Sequence, residues 1–239
     1  MKPGTFKGFP PAALTFLADL KQHNNRPWFQ ARKDLYERCV KAPMSELIAS
    51  IEEAFRSFAP EMVADPRTSL YRIYRDTRFS PDKSPYKTHV AAVFPVRGLP
   101  KNAGPGLYLH ISPEELLIGG GMYMPEPQVL RAVREQIVAS PNEFLAILQA
   151  RPFRKIFGEL EGERLRTMPK GFSADSEAAE YIRYKQFLFA KVFAPKVATT
   201  ARLLPAILEC FQTGMPLIRL LAQPAFRSLS VSSAQSFRQ

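Results

Sequence analysis

Residues 89–121 read HVAAVFPVRGLPKNAGPGLYLHISPEELLIGGG, and this stretch decides the fold class. His89 to Val96 is a β-branched and aromatic run, Leu107 to Ile111 a second, and Leu116 to Ile118 a third, ending at Gly119-Gly120-Gly121. Such compositions suit half-buried strands. Gly98, Pro100, Asn102, Gly104, Pro105 and Gly106 lie between the first two runs, and Ser112-Pro113-Glu114-Glu115 between the second and third. Both connections are short and turn-rich, so the strands pair as antiparallel neighbours. Just upstream, Tyr71, Ile73 and Tyr74 read as a further strand. A sheet of about four strands is therefore expected over roughly 69–121.

The flanks have helical periodicity. Leu14, Leu17 and Leu20 form one stripe that stops at Asn24-Asn25, and Pro27 opens a second helix with Trp28, Phe29, Leu35 and Tyr36. From Pro43, the residues Leu47, Ile48, Ile51, Ala54, Phe55 and Phe58 recur at three and four, giving a helix with a wide apolar face that ends near Pro60. After Pro125 come Leu130, Val133 and Ile137, then Phe144, Leu145 and Leu148 behind Pro141, then Phe153, Ile156 and Phe157. Residues 158–180 are polar and turn-rich, and a last helix is expected from Pro195 through Phe211, interrupted at Pro205. Residues 228–239 read as a frayed tail. Helices, then strands, then helices describe an α+β fold, an antiparallel sheet packed by N-terminal and C-terminal helices, and the expectation is one domain over 1–239.

Composition limits the function classes. The chain has 239 residues, 46% apolar, with 33 Lys and Arg against 22 Asp and Glu, a net charge of +11. That balance attracts phosphorylated or polyanionic partners and says nothing about fold. Cys39 and Cys210 are too far apart for a metal motif or a disulfide framework, which favours a reducing compartment. Lys2, Lys7 and Asp19 interrupt the first twenty residues, and no run approaches the roughly 18 apolar residues of a spanning helix. A cytoplasmic protein without a membrane partner is the expectation.

Charge is concentrated between Arg72 and His89, RIYRDTRFSPDKSPYKTH, where five Lys or Arg and two Asp fall among apolar segments. In a regular strand Arg75 would point away from Arg72, Asp76 and Arg78. The strand is therefore expected to end or bulge near Arg75, with a turn-rich loop from Ser80 to Pro85 and the next strand starting at Thr88. Such a loop gathers Arg72, Arg75, Arg78, Lys83 and Lys87 around a site for a phosphate or carboxylate, with Asp76 orienting an arginine and the Tyr86 hydroxyl as a donor. Asp76, Tyr86 and His89 are the candidate acids and bases, His89 because imidazole titrates near neutral pH. Against this stands a purely structural reading, in which Asp76 and Asp82 pair with Arg72, Arg78 or Lys83 to fasten a hairpin over the Tyr86 ring. Pro81-Asp82-Lys83 has a nuclease-like look, but no second carboxylate completes a metal site. The cofactor is undefined by the sequence, and no metal is expected.

Written R-x-x-R-D-x-R-F-x-x-D-K-x-P-Y-K, the segment 72–87 resembles the signature of the DUF2461 family, uncharacterised bacterial proteins of about this length. The resemblance extends to Phe6, Phe9, Leu17 and Leu20, to NNRPWF at 24–29, to Gly119-Gly120-Gly121 with Pro125, Leu130 and Arg134, and to Pro169, Gly171, Tyr184-Lys185 and Pro216-Leu217. It implies an intracellular bacterial protein and assigns no catalytic residues. Asn25, Trp28 and Phe29 are either one wall of a pocket or core. The three glycines serve close approach, a bulge or a strand end. Arg183 and Lys185 beside Tyr184 form either a second positive wall or a solvated face.

Walker, G-x-G-x-x-G, H-E-x-x-H and G-x-S-x-G patterns are absent, which removes support for common nucleotide, dinucleotide, zinc-protease and hydrolase functions. Four readings remain: a binding module for a phosphorylated or other anionic small molecule, an enzyme acting on such a ligand, a nucleic-acid-binding protein using Tyr71, Tyr74, Phe79 and Tyr86 for stacking, and a structural or partner-binding protein. Anion binding is common to the first three.

Overall fold

A computed structural model describes residues 6–236, with side chains through 228. Before the sheet come helices α1 (Pro11–Gln22), α2 (Arg26–Gln30), α3 (Lys33–Tyr36), α4 (Ala42–Phe58) and α5 (Pro66–Ser69), then strands β1 (Val90–Pro95), β2 (Gly106–Ile111) and β3 (Leu116–Met122). Helices α6 (Pro127–Ala139), α7 (Pro141–Gln149), α8 (Arg151–Phe157) and α9 (Ala179–Ile182) precede strand β4 (Phe187–Phe193), a 3-10 turn at Pro195–Thr199 and the long helix α10 (Leu203–Ser236). The strands form one antiparallel sheet in the order β1-β2-β3-β4. The fold is α+β with a four-stranded antiparallel sheet.

The fourth strand is not the one expected near residue 71. It is β4, to which the sequence reading assigns no element; Tyr71–Tyr74 makes only isolated bridges. The Pro205 break is also absent. Pro205 sits in the first turn of α10, where its missing N–H has no intrahelical partner to lose, and the prolines inside the helix are Pro216 and Pro224. Helix α10 continues into the segment read as a tail, and residues 237–239 lie outside the described ones.

Contacts divide the chain into two compact units. The first comprises 1–94, 108–118 and 192–209. Its core takes Phe16, Leu17 and Leu20 from α1, Leu47, Ile48, Ile51 and Phe55 from α4, and the buried run Val90–Phe94 of β1. Between α3 and α4 the helix does not break but widens into a π turn at Glu37–Lys41, where the Ala42 N–H reaches the Glu37 carbonyl. Pro43 cannot donate to the carbonyl four residues earlier, and the wider turn accommodates it. The β2–β3 turn is tied by Ser112, whose Oγ accepts from the N–H groups of Glu114 (3.1 Å) and Glu115 (3.0 Å).

The second unit comprises 95–107, 119–191 and 210–239. Val129, Val133 and Ile137 of α6 are buried, and Phe189 of β4 meets Phe157 at 4.7 Å and Phe153 at 5.7 Å between ring centroids. Gly119 and Gly121 lie against the β4 backbone so closely that a Cβ at either would run into the carbonyl oxygens of Phe189 and Phe187. The glycines therefore serve backbone approach within the sheet, and β3 continues through them to Met122.

Candidate functional site

In the first unit, the segment leading into the charged stretch is held at single points. Leu70 bridges Ala92 and Tyr74 bridges Tyr86. The Tyr71 N–H donates to the Ala91 carbonyl at 2.9 Å, Lys87 to Ile73 at 2.8 Å and Arg75 to Pro85 at 2.9 Å. Pairing stops at Arg75, as the sequence pattern requires, and residues 76–84 leave as a loop closed at its neck by Arg75 and Pro85. The following strand starts at Val90 rather than Thr88.

The neck is braced from α1's end. The Asn24 side chain donates from Nδ2 to the Tyr86 carbonyl (2.9 Å) and accepts at Oδ1 from the Tyr86 N–H (3.1 Å). Tyr86 itself is 1% exposed and stacks on Phe29, with centroids 4.2 Å apart and planes at 22°. Burial raises its hydroxyl pKa, followed by the influence of Tyr74. Phe29 thus belongs to the floor beneath the loop. Asn25 caps α2 by accepting from the Trp28 N–H at 3.0 Å, and the half-buried Trp28 carries the Arg32 guanidinium 4.6 Å above its ring.

Within the loop each carboxylate holds an arginine. Arg78 forks onto Asp76, Nε to Oδ1 at 3.0 Å and Nη2 to Oδ2 at 2.7 Å. The Arg75 Nη1 donates to Asp82 Oδ2, while its Nη2 lies 3.5 Å from Ser80 Oγ. Asp82 is fixed from the other side by the Ser84 N–H (2.9 Å) and hydroxyl (2.6 Å). Lys83 donates to the Thr77 carbonyl at 2.9 Å. The bond from Arg78 brings the Asp76 pKa down to about 2, and the bond from Arg75, helped by Ser84, holds Asp82 well below the carboxylate range. Arg72 is exposed, with its charge felt at Asp76.

Arg75, Arg78 and Lys83 are therefore gathered in one loop. The Lys87 ammonium instead lies 4.9 Å from the centre of the Tyr71 ring. Two aromatic rings stand out on this surface: Phe79 is 93% exposed and Tyr74 47% exposed. His89 faces His110, with ring centroids 5.3 Å apart, and His110 Nε2 is 3.1 Å from Glu115 Oε1. Burial, then His110 and Lys87, lowers the His89 pKa to about 4, so the ring is neutral at pH 7.

Spacing alone does not reveal the roles of Asn24, which reads as a helix end, or of the serines Ser80 and Ser84 that contact Arg75 and Asp82. In the second unit, Arg183 donates from Nε to the Leu165 carbonyl at 2.9 Å, and Lys185 pairs with Glu163 at 2.9 Å. Among the described residues no group of three or more His, Cys, Asp or Glu is placed to hold a metal ion, and no helix is long and apolar enough to cross a membrane. Cys39 and Cys210 are not joined in a disulfide.

An α+β protein with a charged loop on a braced aromatic base is the class these features define. The chain belongs to the DUF2461 family: the family model, described as "Conserved hypothetical protein (DUF2461)", matches residues 12–219. No curated protein matches it.

Proposed function

We propose that the loop between Arg75 and Pro85 binds an anionic, phosphate-bearing ligand, with Arg75, Arg78 and Lys83 as its contacts, Arg72 and Lys87 contributing positive potential, and Tyr86 as the foundation that fixes the loop. The observation that carries this reading is the bracing of the loop's arginines. Asp76 holds the exposed Arg78 and Asp82 the half-buried Arg75, and a pair as exposed as Arg78–Asp76 gains little stability. The effect of both pairs is to pre-orient guanidinium groups, which lowers the entropic cost of binding an oxyanion. A rigid base under a charged loop is how binding loops are commonly supported.

Acid–base catalysis has weaker support. A carboxylate with a pKa of about 2, such as Asp76, is a poor proton acceptor near pH 7, and His89, with a pKa of about 4, is a weak base there and is not protonated to act as an acid. A second reading, single-stranded nucleic acid as the ligand, is favoured by Phe79 and Tyr74, whose exposed rings offer stacking faces beside the cations.

Fluorescence anisotropy with a labelled nucleotide and with short single-stranded DNA and RNA, each at low and moderate salt, tests both. Binding of any of these that weakens in Lys83→Gln and Arg78→Gln supports the loop as the site. If a nucleic acid is the ligand, each lost phosphate contact lowers the salt slope by about one. Equal binding by wild type and both variants would remove the loop from consideration.

A further inference from the structure

We infer that Arg134, in the second unit, forms the floor of a separate small-anion site that takes a phosphate or carboxylate group. Arg134 lies on α6 and is only 8% exposed. Its Nη2 donates to the Tyr184 carbonyl at 2.9 Å, whereas its Nε is buried without a hydrogen-bond partner. No ion pair among the described residues includes it. A guanidinium carries five N–H donors and cannot shed its charge in a protein. One carbonyl therefore leaves Nε unsatisfied and the charge without a carboxylate partner.

The neighbouring cations show how unusual this is. Arg131 pairs with Glu135 at 2.9 Å, Lys185 with Glu163 at 2.9 Å, and Arg183 bonds to the Leu165 carbonyl. On Tyr184 itself, Arg164 sits 4.5 Å from the ring centre, donates to the hydroxyl, and feels the charges of Glu180 and Glu159. Arg134 is more buried than any of these and no carboxylate pairs with it, the adjacent Glu135 being taken by Arg131, and burial lowers its pKa. A buried, unpaired charge is a large penalty that folded chains otherwise avoid by pairing or by coordinating an ion. Water cannot neutralise the guanidinium. An oxyanion at its Nη groups does, and Arg164, over the Tyr184 ring, and Arg183 add to the field that attracts it.

Thermal unfolding in inorganic phosphate and, separately, in succinate, each at matched ionic strength against chloride, reads the site. At about a hundred times its dissociation constant the anion should raise the midpoint of the wild type by several degrees. Measured in an Arg78→Gln/Lys83→Gln background, which removes the loop's contribution and so separates this site from it, the shift should persist with Arg134 intact, shrink in Arg134→Lys and vanish in Arg134→Met. On the wild type, the Arg134 Nε–Hε resonance should move on addition of phosphate, a readout that does not depend on how well the variants fold. An unmoved resonance with both anions, or a shift undiminished by Arg134→Met in the folded loop-variant background, overturns the assignment.

Discussion

The Asn24 carboxamide engages both backbone polar groups of Tyr86, accepting from its N–H at 3.1 Å and donating to its carbonyl at 2.9 Å. One side chain thus does for Tyr86 what a neighbouring strand would do, at the point where the charged loop leaves the body of its unit. Replacing it by Ala leaves a partly buried donor and acceptor unpaired. Asn24→Ala should cost about 2 kcal/mol in urea unfolding. A loss below about 0.5 kcal/mol would mean that the clamp is not formed in solution.

Tyr86 separates a foundation from a functional hydroxyl. Tyr86→Phe keeps the stack on Phe29 and should leave ligand affinity at the loop within about threefold, a difference of ~0.6 kcal/mol. Tyr86→Ala removes a buried ring and should cost roughly 3–5 kcal/mol of stability. Loss of binding in a stable Tyr86→Phe protein would return the hydroxyl to the ligand.

His89 should make the fold acid-sensitive. Its pKa is about 4 in the folded chain and about 6.5 when unfolded. Between these values the unfolded state takes up the proton more readily, so stability falls as pH drops from about 6.5 to about 4 and this contribution levels off below. His110, Lys87 and the Glu115 bound to His110 set the local charge. The urea midpoint should therefore decline over that window in wild type and decline less in His89→Gln. Parallel declines would place the sensitivity elsewhere.

Asp76 and Asp82 act at lower pH. Both pKa values are depressed on folding, Asp76 to about 2. Their contribution is present above the unfolded value of about 3.9 and disappears as pH falls through the folded one. Because both pairs lie at the surface, the expected signature is loosening of the loop rather than global unfolding. Amide exchange at Arg78 and Ser84 should accelerate below about pH 3, while α4 stays protected; simultaneous exchange of both would contradict a local role.

Gly121 has φ +125, and a Cβ there would strike the Phe187 carbonyl. Gly121→Ala should destabilise the chain by more than about 1 kcal/mol in chemical unfolding. A neutral outcome would show that β3 and β4 are not packed this closely.

The parts of the fold legible in the sequence are those set by local pattern. The stripes of α1 and α4 and the turns joining β1, β2 and β3 follow from spacing and turn chemistry. Strand β4 escaped because FLFAKVF is a short apolar run whose pairing depends on glycines some 66 residues earlier, at 119–121. Its Phe187 and Phe189 do alternate inward, which is the signal that was available. Tyr71–Tyr74 has strand composition but makes only single bridges. In the loop, the pairing of Asp76 with an arginine is legible because Arg78 lies two residues on. Asn24 is not, since an amide that pairs with backbone 62 residues away leaves no trace in spacing.

The central claim is that the braced cations of the loop hold an anion, and the most direct measurement is thermal unfolding of wild type and an Arg78→Gln/Lys83→Gln double variant. Both would be scanned against nucleotides, sugar phosphates, and short DNA and RNA. A ligand at a hundred times its dissociation constant adds roughly 2.7 kcal/mol, enough to move the midpoint by several degrees. The account predicts, for at least one of these ligands, a shift in the wild type beyond that given by matched inorganic phosphate, and loss of that excess in a double variant whose unliganded midpoint is almost unchanged. A double variant that unfolds much earlier, with no anion shifting the wild type, would contradict it and make the charged loop a structural fastening.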